Sequence, residues 1–254
     1  MKLIGGGGGG MDDPLSASHG PRQYALCVKV LDRIGGSCPS ALGIDLASMK
    51  SDEVFKWLLA SILLGTEGHE TVAFRAYRSL EMAGLTSTGR LLTTNWQSLV
   101  DILDQSGYIR HNFKIAIGLP GVAAALNNDY DGDLNRLHFF ARDEGDLEGR
   151  LQGLGKAMRP ATVTLFLRGL RELWEKANPP LAREALVASQ GLRLLDATST
   201  TVALEELRIL WDENKEDQSR FSDVEAALMR LGRDYCRTRR CHVCPVKEEC
   251  RNGA

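Results

Sequence analysis

The sequence predicts an all-α protein, because apolar residues recur at helical spacing along most of the chain. Two further observations support this fold class. Capping residues and glycines separate the apolar stretches at intervals suited to helices, and no alternating apolar–polar run is followed by a hairpin turn. We therefore expect helices throughout and no sheet.

The helices can be assigned in chain order from these signals. The first covers 23–34. The second begins at Ser51, a suitable N-cap followed by acidic residues, and ends at Gly65; it is apolar on nearly all sides, which predicts a central position in the core. Pro160 is favoured at the first position of a later helix. The remaining predicted helices cover 69–84, 95–107, 109–126 with a kink at Pro120, 134–142, 146–152, 160–177, 181–190, 198–213 and 221–235.

Composition and charge limit the function classes. Residues 1–10 are glycine-rich and are expected to form a flexible leader. No apolar run approaches the ~20 residues that span a bilayer, and no signal-peptide pattern is found, so we expect a cytoplasmic protein without membrane contact. The net charge of −2 excludes a uniformly basic nucleic-acid binder. Two segments are nevertheless basic, 150–176 and 236–254, and these are either polyanion contacts or solvated faces.

Four of the six cysteines lie within fifteen positions near the end of the chain, at Cys236, Cys241, Cys244 and Cys250. In a reducing compartment this favours a metal site over a disulfide framework. Structural zinc sites usually pair two Cys-x-x-Cys hooks across a longer loop, whereas one compact loop with a single hook favours a [4Fe–4S] cluster. A zinc site, or a disulfide in the loop, remains an alternative. The loop has few apolar residues of its own, so the metal would be what folds it.

The cysteine loop and an upstream glycine motif together resemble a known family. The cysteine gaps are four, two and five residues, and the preceding helix runs into the sequence LGRDYC. Endonuclease III-type DNA glycosylases have gaps of six, two and five after a helix ending in HGR. The segment 151–170, LQGLGKAMRPATVTLFLRGL, is similar to their helix-hairpin-helix motif. The chain therefore resembles the iron–sulfur branch of the helix-hairpin-helix glycosylase superfamily, with a first cysteine gap that is shorter by two.

The resemblance implies a DNA-binding hairpin. Gly153 and Gly155 would let backbone N–H groups approach a phosphate, the following helix N-terminus would favour the same anion, and Lys156 and Arg159 would add charge.

Two other segments match family regions that lie near DNA. Thr66 matches the position of a side chain that wedges into the base stack. Glu67, His69 and Glu70 either face the base pocket or form a solvated helix start. Tyr108 either stacks on a base or packs in the core.

The catalytic positions of the family are altered in this chain. The nucleophilic lysine of bifunctional members falls at Ala157, and Lys156 lies one residue early, so a phosphate contact is favoured over Schiff-base chemistry. The family aspartate falls at Asn178, which has no charge but could position a water. Glu175 could replace the aspartate, although an exposed glutamate at a helix end is the simpler interpretation.

Over residues 20–250 the resemblance implies two helical domains with a cleft between them. A six-helix barrel with the hairpin would cover 52–168, and an iron–sulfur cluster domain would join 11–51 to 169–254. It further implies a monomeric, nucleoid-associated enzyme of base-excision repair. The enzyme would flip a damaged or mismatched base from double-stranded DNA and hydrolyse its N-glycosidic bond, with weak AP-lyase activity or none. The altered catalytic positions also allow a non-catalytic binder of DNA damage or DNA structure.

Overall fold

The computed structural model describes residues 20–67, 69–215 and 220–251, except for the side chain of Glu67. The glycine-rich leader at 1–10 lies outside these residues. All regular elements of the described chain are helical, which confirms the predicted all-α class. In chain order the α-helices are α1 Pro21–Ile34, α2 Cys38–Leu42, α3 Ser51–Glu67, α4 Glu70–Met82, α5 Thr88–Thr93, α6 Trp96–Gln105, α7 Asn112–Tyr130, α8 Leu134–Phe140, α9 Glu144–Gly153, α10 Pro160–Leu170, α11 Arg183–Gly191, α12 Thr200–Asn214 and α13 Phe221–Leu231.

The first of two hydrophobic clusters extends from Cys38 to Ala177 and is built mainly from α3 to α10. Helix α3 lies at its centre, as its nearly uniform apolar sequence predicts. Trp57 of α3 is 1% exposed, and its indole N–H donates to the Phe166 carbonyl of α10 at 2.9 Å. This contact fixes α10, and therefore the turn that precedes it, against the core.

The second cluster joins the two ends of the chain. Cys27 and Val30 of α1 pack with residues between Leu181 and Val246, which belong to α11, α12, α13 and the cysteine loop. Among the described helices, none combines the length and apolar character needed to span a bilayer.

Several helix boundaries differ from the prediction. Helix α3 continues to Glu67, past Gly65, and α10 ends at Leu170 rather than at 177. After Leu170 the chain tightens into turns, because the Leu170 carbonyl accepts hydrogen bonds from the N–H groups of both Leu173 and Trp174. Helices α2 and α5 were not predicted, since five or six residues are too few to show a helical period.

Candidate nucleic-acid interface

The turn between α9 and α10 is the glycine hairpin that the sequence predicts. Gly155 has φ +147°, a conformation that side chains strongly disfavour, and a Cβ there would lie 3.6 Å from Val122 of α7. The buried side chains of Leu154 and Met158 anchor the turn in the core. A Cβ on Gly153 would meet nothing, so Gly153 leaves open space above the turn.

The hairpin presents hydrogen-bond donors and positive charge to solvent. Within the described residues, the backbone N–H groups of Lys156 and Ala157 donate no hydrogen bond. Helix α10 begins beside them and has no side-chain N-cap, so its first-turn N–H groups also lack capping acceptors. Lys156 and Arg159 are exposed on the same turn. Free N–H groups, a helix N-terminus and two cations form an arrangement suited to a phosphate.

Arg159 joins the hairpin to the end of α3. Its Nη2 donates to the Gly65 carbonyl at 2.6 Å and to Thr66 Oγ1 at 3.3 Å. The two helices approach closely here, because a Cβ on Gly65 would lie 2.6 Å from Thr162 Oγ1 and 3.2 Å from Thr162 Cα. The structure therefore brings together two predicted DNA-contacting residues, Thr66 and Arg159. It also shows that Gly65 permits helix packing and is not a helix stop.

Tyr108 has no exposed surface. It lies in the first hydrophobic cluster, and its hydroxyl donates to the Leu63 carbonyl at 2.9 Å. This placement corrects the predicted base-stacking contact, because a ring that is enclosed by the core cannot reach a base. The next residue, Ile109, is 66% exposed.

Asn178 is not close to the hairpin. Its Oδ1 accepts a hydrogen bond from Arg171 Nη1 at 3.1 Å, at the C-terminal end of α10, whereas Lys156 precedes the N-terminal end. The eleven residues of α10 separate these ends by roughly 16 Å. The structure therefore does not bring Asn178 and Lys156 together as one catalytic pair. Glu175 is exposed in the turn after α10 and is also away from the hairpin.

Arg171 and Glu225 form a buried ion pair beneath Asn178. Arg171 donates from Nε to Glu225 Oε2 at 2.9 Å and from Nη2 to Glu225 Oε1 at 3.1 Å. Both side chains are almost fully enclosed. Arg168 Nε lies 3.4 Å from Glu225 Oε1 without the alignment of a hydrogen bond, and burial lowers the pKa of Arg168. The carboxylate of Glu225 thus compensates the fully buried Arg171 and the partly buried Arg168.

The segment after Asn178 runs back along α10. Arg171 donates to the Pro179 carbonyl at 2.6 Å, and Arg168 donates to the Pro180 carbonyl at 3.1 Å. Sequence reasoning missed this arrangement. The pair of prolines could have indicated it. Prolines have no N–H and interrupt regular backbone pairing, so nearby carbonyls are free to accept hydrogen bonds from side chains.

A second ion network includes Glu70, the first residue of α4. Its carboxylate accepts from Arg230 and Arg233, and Arg230 also donates to the Gly35 carbonyl and to Cys38 Sγ. Burial is the main cause that raises the pKa of Cys38, to about 11, so the thiol is protonated. Glu70 therefore ties α4 to α13. His69 is exposed, and the side chain of Glu67 lies outside the described residues.

The cysteine loop begins with a close helix contact. A π-helical turn spans Gly232–Cys236, and a Cβ on Gly232 would lie 1.9 Å from the Glu184 carbonyl oxygen of α11. Only glycine permits this approach, which explains the glycine of the LGRDYC sequence. The loop is held further by ion pairs from Arg237 to Glu184 and from Lys29 to Glu249.

The four cysteines of the loop are free thiols and share one region. Burial, followed by the charges of the other three, raises the pKa of Cys236 to about 11. Cys250 Sγ lies 3.5 Å from the Gly191 carbonyl of α11. Within the described residues no three His, Cys, Asp or Glu side chains converge closely enough for a single metal ion. The donors are four neighbouring thiols in one loop. This set fits the chemistry of an iron–sulfur cluster, whose thiolate ligands surround a group larger than a single metal ion.

Basic residues surround these cysteines. Arg237 and Arg239 are exposed in the first part of the loop, and Arg240, Lys247 and Arg251 are exposed farther along. Arg237 is already paired with Glu184, so the charge that could offset thiolates or attract a polyanion would come mainly from the other four. The chain matches none of the family models and none of the curated proteins with which it was compared.

Proposed function

We propose that this protein is a DNA base-excision repair glycosylase that binds double-stranded DNA through the glycine hairpin. The observation that supports this most directly is the hairpin itself. Its free N–H groups at Lys156 and Ala157, the uncapped start of α10 and the exposed charges of Lys156 and Arg159 lie at one point. A phosphodiester group is the anion that such an arrangement would recognise in a long polyanion.

The cysteine loop would supply a second contact with the DNA phosphate backbone. Cys236, Cys241, Cys244 and Cys250 would hold a [4Fe–4S] cluster, which would cross-link a loop that has little apolar core of its own. The exposed arginines of the loop would then contact phosphates on the same duplex. The two hydrophobic clusters would form the cores of two helical domains, a six-helix barrel that contains the hairpin and an iron–sulfur domain, with DNA across the cleft between them.

The reaction would be hydrolysis of an N-glycosidic bond after a damaged or mismatched base is turned out of the stack. Thr66 lies beside Arg159 and would reach the base stack when the hairpin holds the backbone. Lys156 would hold a phosphate, because its exposed amine follows the glycine bend directly. Ala157 cannot act as a nucleophile, so we expect a monofunctional enzyme or weak AP-lyase activity.

The first experiment is a cleavage assay on duplexes that carry uracil, thymine glycol, alkylated or oxidised bases. We expect base release from at least one duplex without a borohydride-trapped adduct. Lys156→Ala should weaken DNA binding and lower the slope of log affinity against log salt by about one. Lys215→Ala, which removes a lysine from a surface ion pair at the C-terminal end of α12, is the matched control and should change neither quantity. A trapped adduct that Lys156→Ala abolishes would reverse the monofunctional assignment.

A second candidate is a non-catalytic binder of DNA damage or DNA structure. The specific observation that favours it is that Asn178 is engaged by Arg171, at the opposite end of α10 from the hairpin. This candidate predicts tight, salt-sensitive DNA binding, no base release from any lesion and no activity in Asn178→Asp. Absence of DNA binding at low ionic strength, together with absence of iron and sulfide in anaerobically purified protein, would reject both candidates.

A further inference from the structure

An exposed apolar surface lies on and beside α7, and we name it the α7 platform. It consists of Ile109, Phe113 and Ile117, which are 66%, 55% and 67% exposed, and Trp96 of α6, which is 43% exposed. The Trp96 and Phe113 rings are stacked, with centroids 5.6 Å apart and planes 16° apart. Single exposed apolar residues are ordinary, but a stacked aromatic pair with a further apolar residue one helical turn away is typical of a contact surface.

The platform continues towards the hairpin along the outer face of α7. Phe113 and Ile117 are one helical turn apart, and Gly121, one turn later, is also exposed. On the flank of the same helix, a Cβ on Gly118 would lie 3.0 Å from the Cβ of Ala157 in the hairpin. A strand that leaves the hairpin could therefore cross the platform without a gap.

Two cations lie among the aromatic and aliphatic side chains of this face. Arg110 and Lys114 are exposed among the apolar residues of the platform, and the single acidic residue of α7 is Asp129, near its far end. The neighbouring α6 carries two exposed carboxylates, Asp101 and Asp104, which keep their charge although they accept hydrogen bonds from the neutral amides of Gln97 and Asn112. An apolar protein partner would gain nothing from Arg110 and Lys114, whereas phosphates between stacked bases would be compensated by them.

We infer that the α7 platform binds unpaired bases of single-stranded DNA, by stacking on Phe113 and Trp96 with Arg110 and Lys114 on the phosphates. Aromatic faces with interspersed cations form the usual surface for single strands, and they accept any base because every base has a π-face. This inference builds on the proposed DNA-binding hairpin. It adds that the protein holds duplex and single strand side by side, as at a gap, a flap or a locally opened lesion.

The test measures the affinity of the full chain for three fluorescent probes, an oligo-dT strand, a blunt duplex and a duplex with a dT overhang. Phe113→Ala should weaken oligo-dT and overhang binding by roughly tenfold and leave blunt-duplex binding unchanged. Phe139→Ala is the matched control, because Phe139 is 77% exposed on α8 and outside the platform. An equal loss on the blunt duplex, or a loss no larger than that of Phe139→Ala, would overturn the inference.

Tryptophan fluorescence provides an independent measurement. Trp57, Trp174 and Trp211 are each 1% exposed, so quenching by oligo-dT should report Trp96 alone. Trp96→Phe should abolish the quenching while retaining the affinity, and Trp96→Ala should lose both. Quenching that persists in Trp96→Phe would place the strand elsewhere and overturn the inference.

The outcomes separate this inference from the proposed function. Blunt-duplex binding with base release, but without preference for the overhang, would reject the platform alone. Platform-dependent single-strand binding without base release would reject the glycosylase and retain the platform. If platform variants change the sedimentation of the protein and not its affinity for DNA, the surface is a contact between copies of the chain, and the inference fails.

Discussion

The two ends of α10 carry the same kinds of residue in opposite surroundings. At the N-terminal end, Lys156 and Arg159 are exposed beside backbone N–H groups without acceptors. At the C-terminal end, Arg168 and Arg171 are paired with Glu225 and with the carbonyls of the returning segment. The N-terminal end leaves backbone donors available to a ligand and holds Arg159 only through exposed hydrogen bonds to Gly65 and Thr66, whereas the C-terminal end engages its arginines within the protein. An arginine beside a glycine turn therefore indicates a ligand contact only when its protein partners leave it exposed.

The largest expected effect comes from removing the carboxylate at the C-terminal end. Glu225→Ala leaves the fully buried Arg171 and the partly buried Arg168 without their counter-charge, and we expect a loss of about 3–5 kcal/mol in the free energy of unfolding. Urea denaturation measures this loss. Asp212→Ala, which removes the acid of an exposed pair with Lys215, is the control and should cost less than about 1 kcal/mol. Similar losses in both variants would contradict the buried ion pair.

The second effect concerns the packing of α10. A Cβ on Gly169 would lie 2.5 Å from Trp57 Nε1, so Gly169→Ala should displace a buried indole and destabilise the fold by about 1–3 kcal/mol. Gly153→Ala is the matched control, since its added Cβ meets nothing. The two midpoints of thermal unfolding should differ clearly. If Gly153→Ala is the more destabilising, the described packing of α10 is wrong.

The third effect compares an arginine at each end. Arg159→Ala should change stability by less than about 1 kcal/mol, because its hydrogen bonds to Gly65 and Thr66 are exposed. It should nevertheless lower duplex affinity several-fold and reduce the salt dependence of binding. Arg171→Ala should do the reverse, with a large loss of stability. Filter binding measures the duplex affinity of both variants, and urea denaturation measures their free energies of unfolding.

The smallest effect is a pH dependence near the same helix end. The His138 ring stacks on the buried Trp174, and burial is the main cause that lowers the His138 pKa from its ordinary value of 6.5. The unfolded chain therefore binds the proton first, and stability falls as the pH drops through 6.5. His138→Phe keeps a ring against Trp174 without titrating. It should lose less stability than the wild type between about pH 7.5 and about pH 5.5, and an equal loss would reject His138 as the cause.

Much of the fold could be predicted, because helical periodicity and helix-capping residues depend on only a few neighbours in the sequence. Pro160 begins a helix as predicted, and α3 begins at Ser51, which is its first helical residue and not the predicted N-cap, because the Lys50 carbonyl accepts the first helical hydrogen bonds. The glycine hairpin and the neighbouring cysteines were also visible as local motifs. The role of Asn178 could not be predicted from local sequence. Its partner Arg171 is held by Glu225, which is 54 residues from Arg171 along the chain. Tyr108 shows the same limit, since the Leu63 carbonyl that receives its hydroxyl is 45 residues earlier.

The junction of α1 with α11, α12 and α13 has a consequence for biosynthesis. Cys27 and Val30 leave the ribosome early, but their packing partners begin at Leu181. The cluster from Cys38 to Ala177 can therefore assemble during translation, while α1 keeps its apolar face open until the last helices emerge. In that interval the apolar face of α1 is open to non-native contacts.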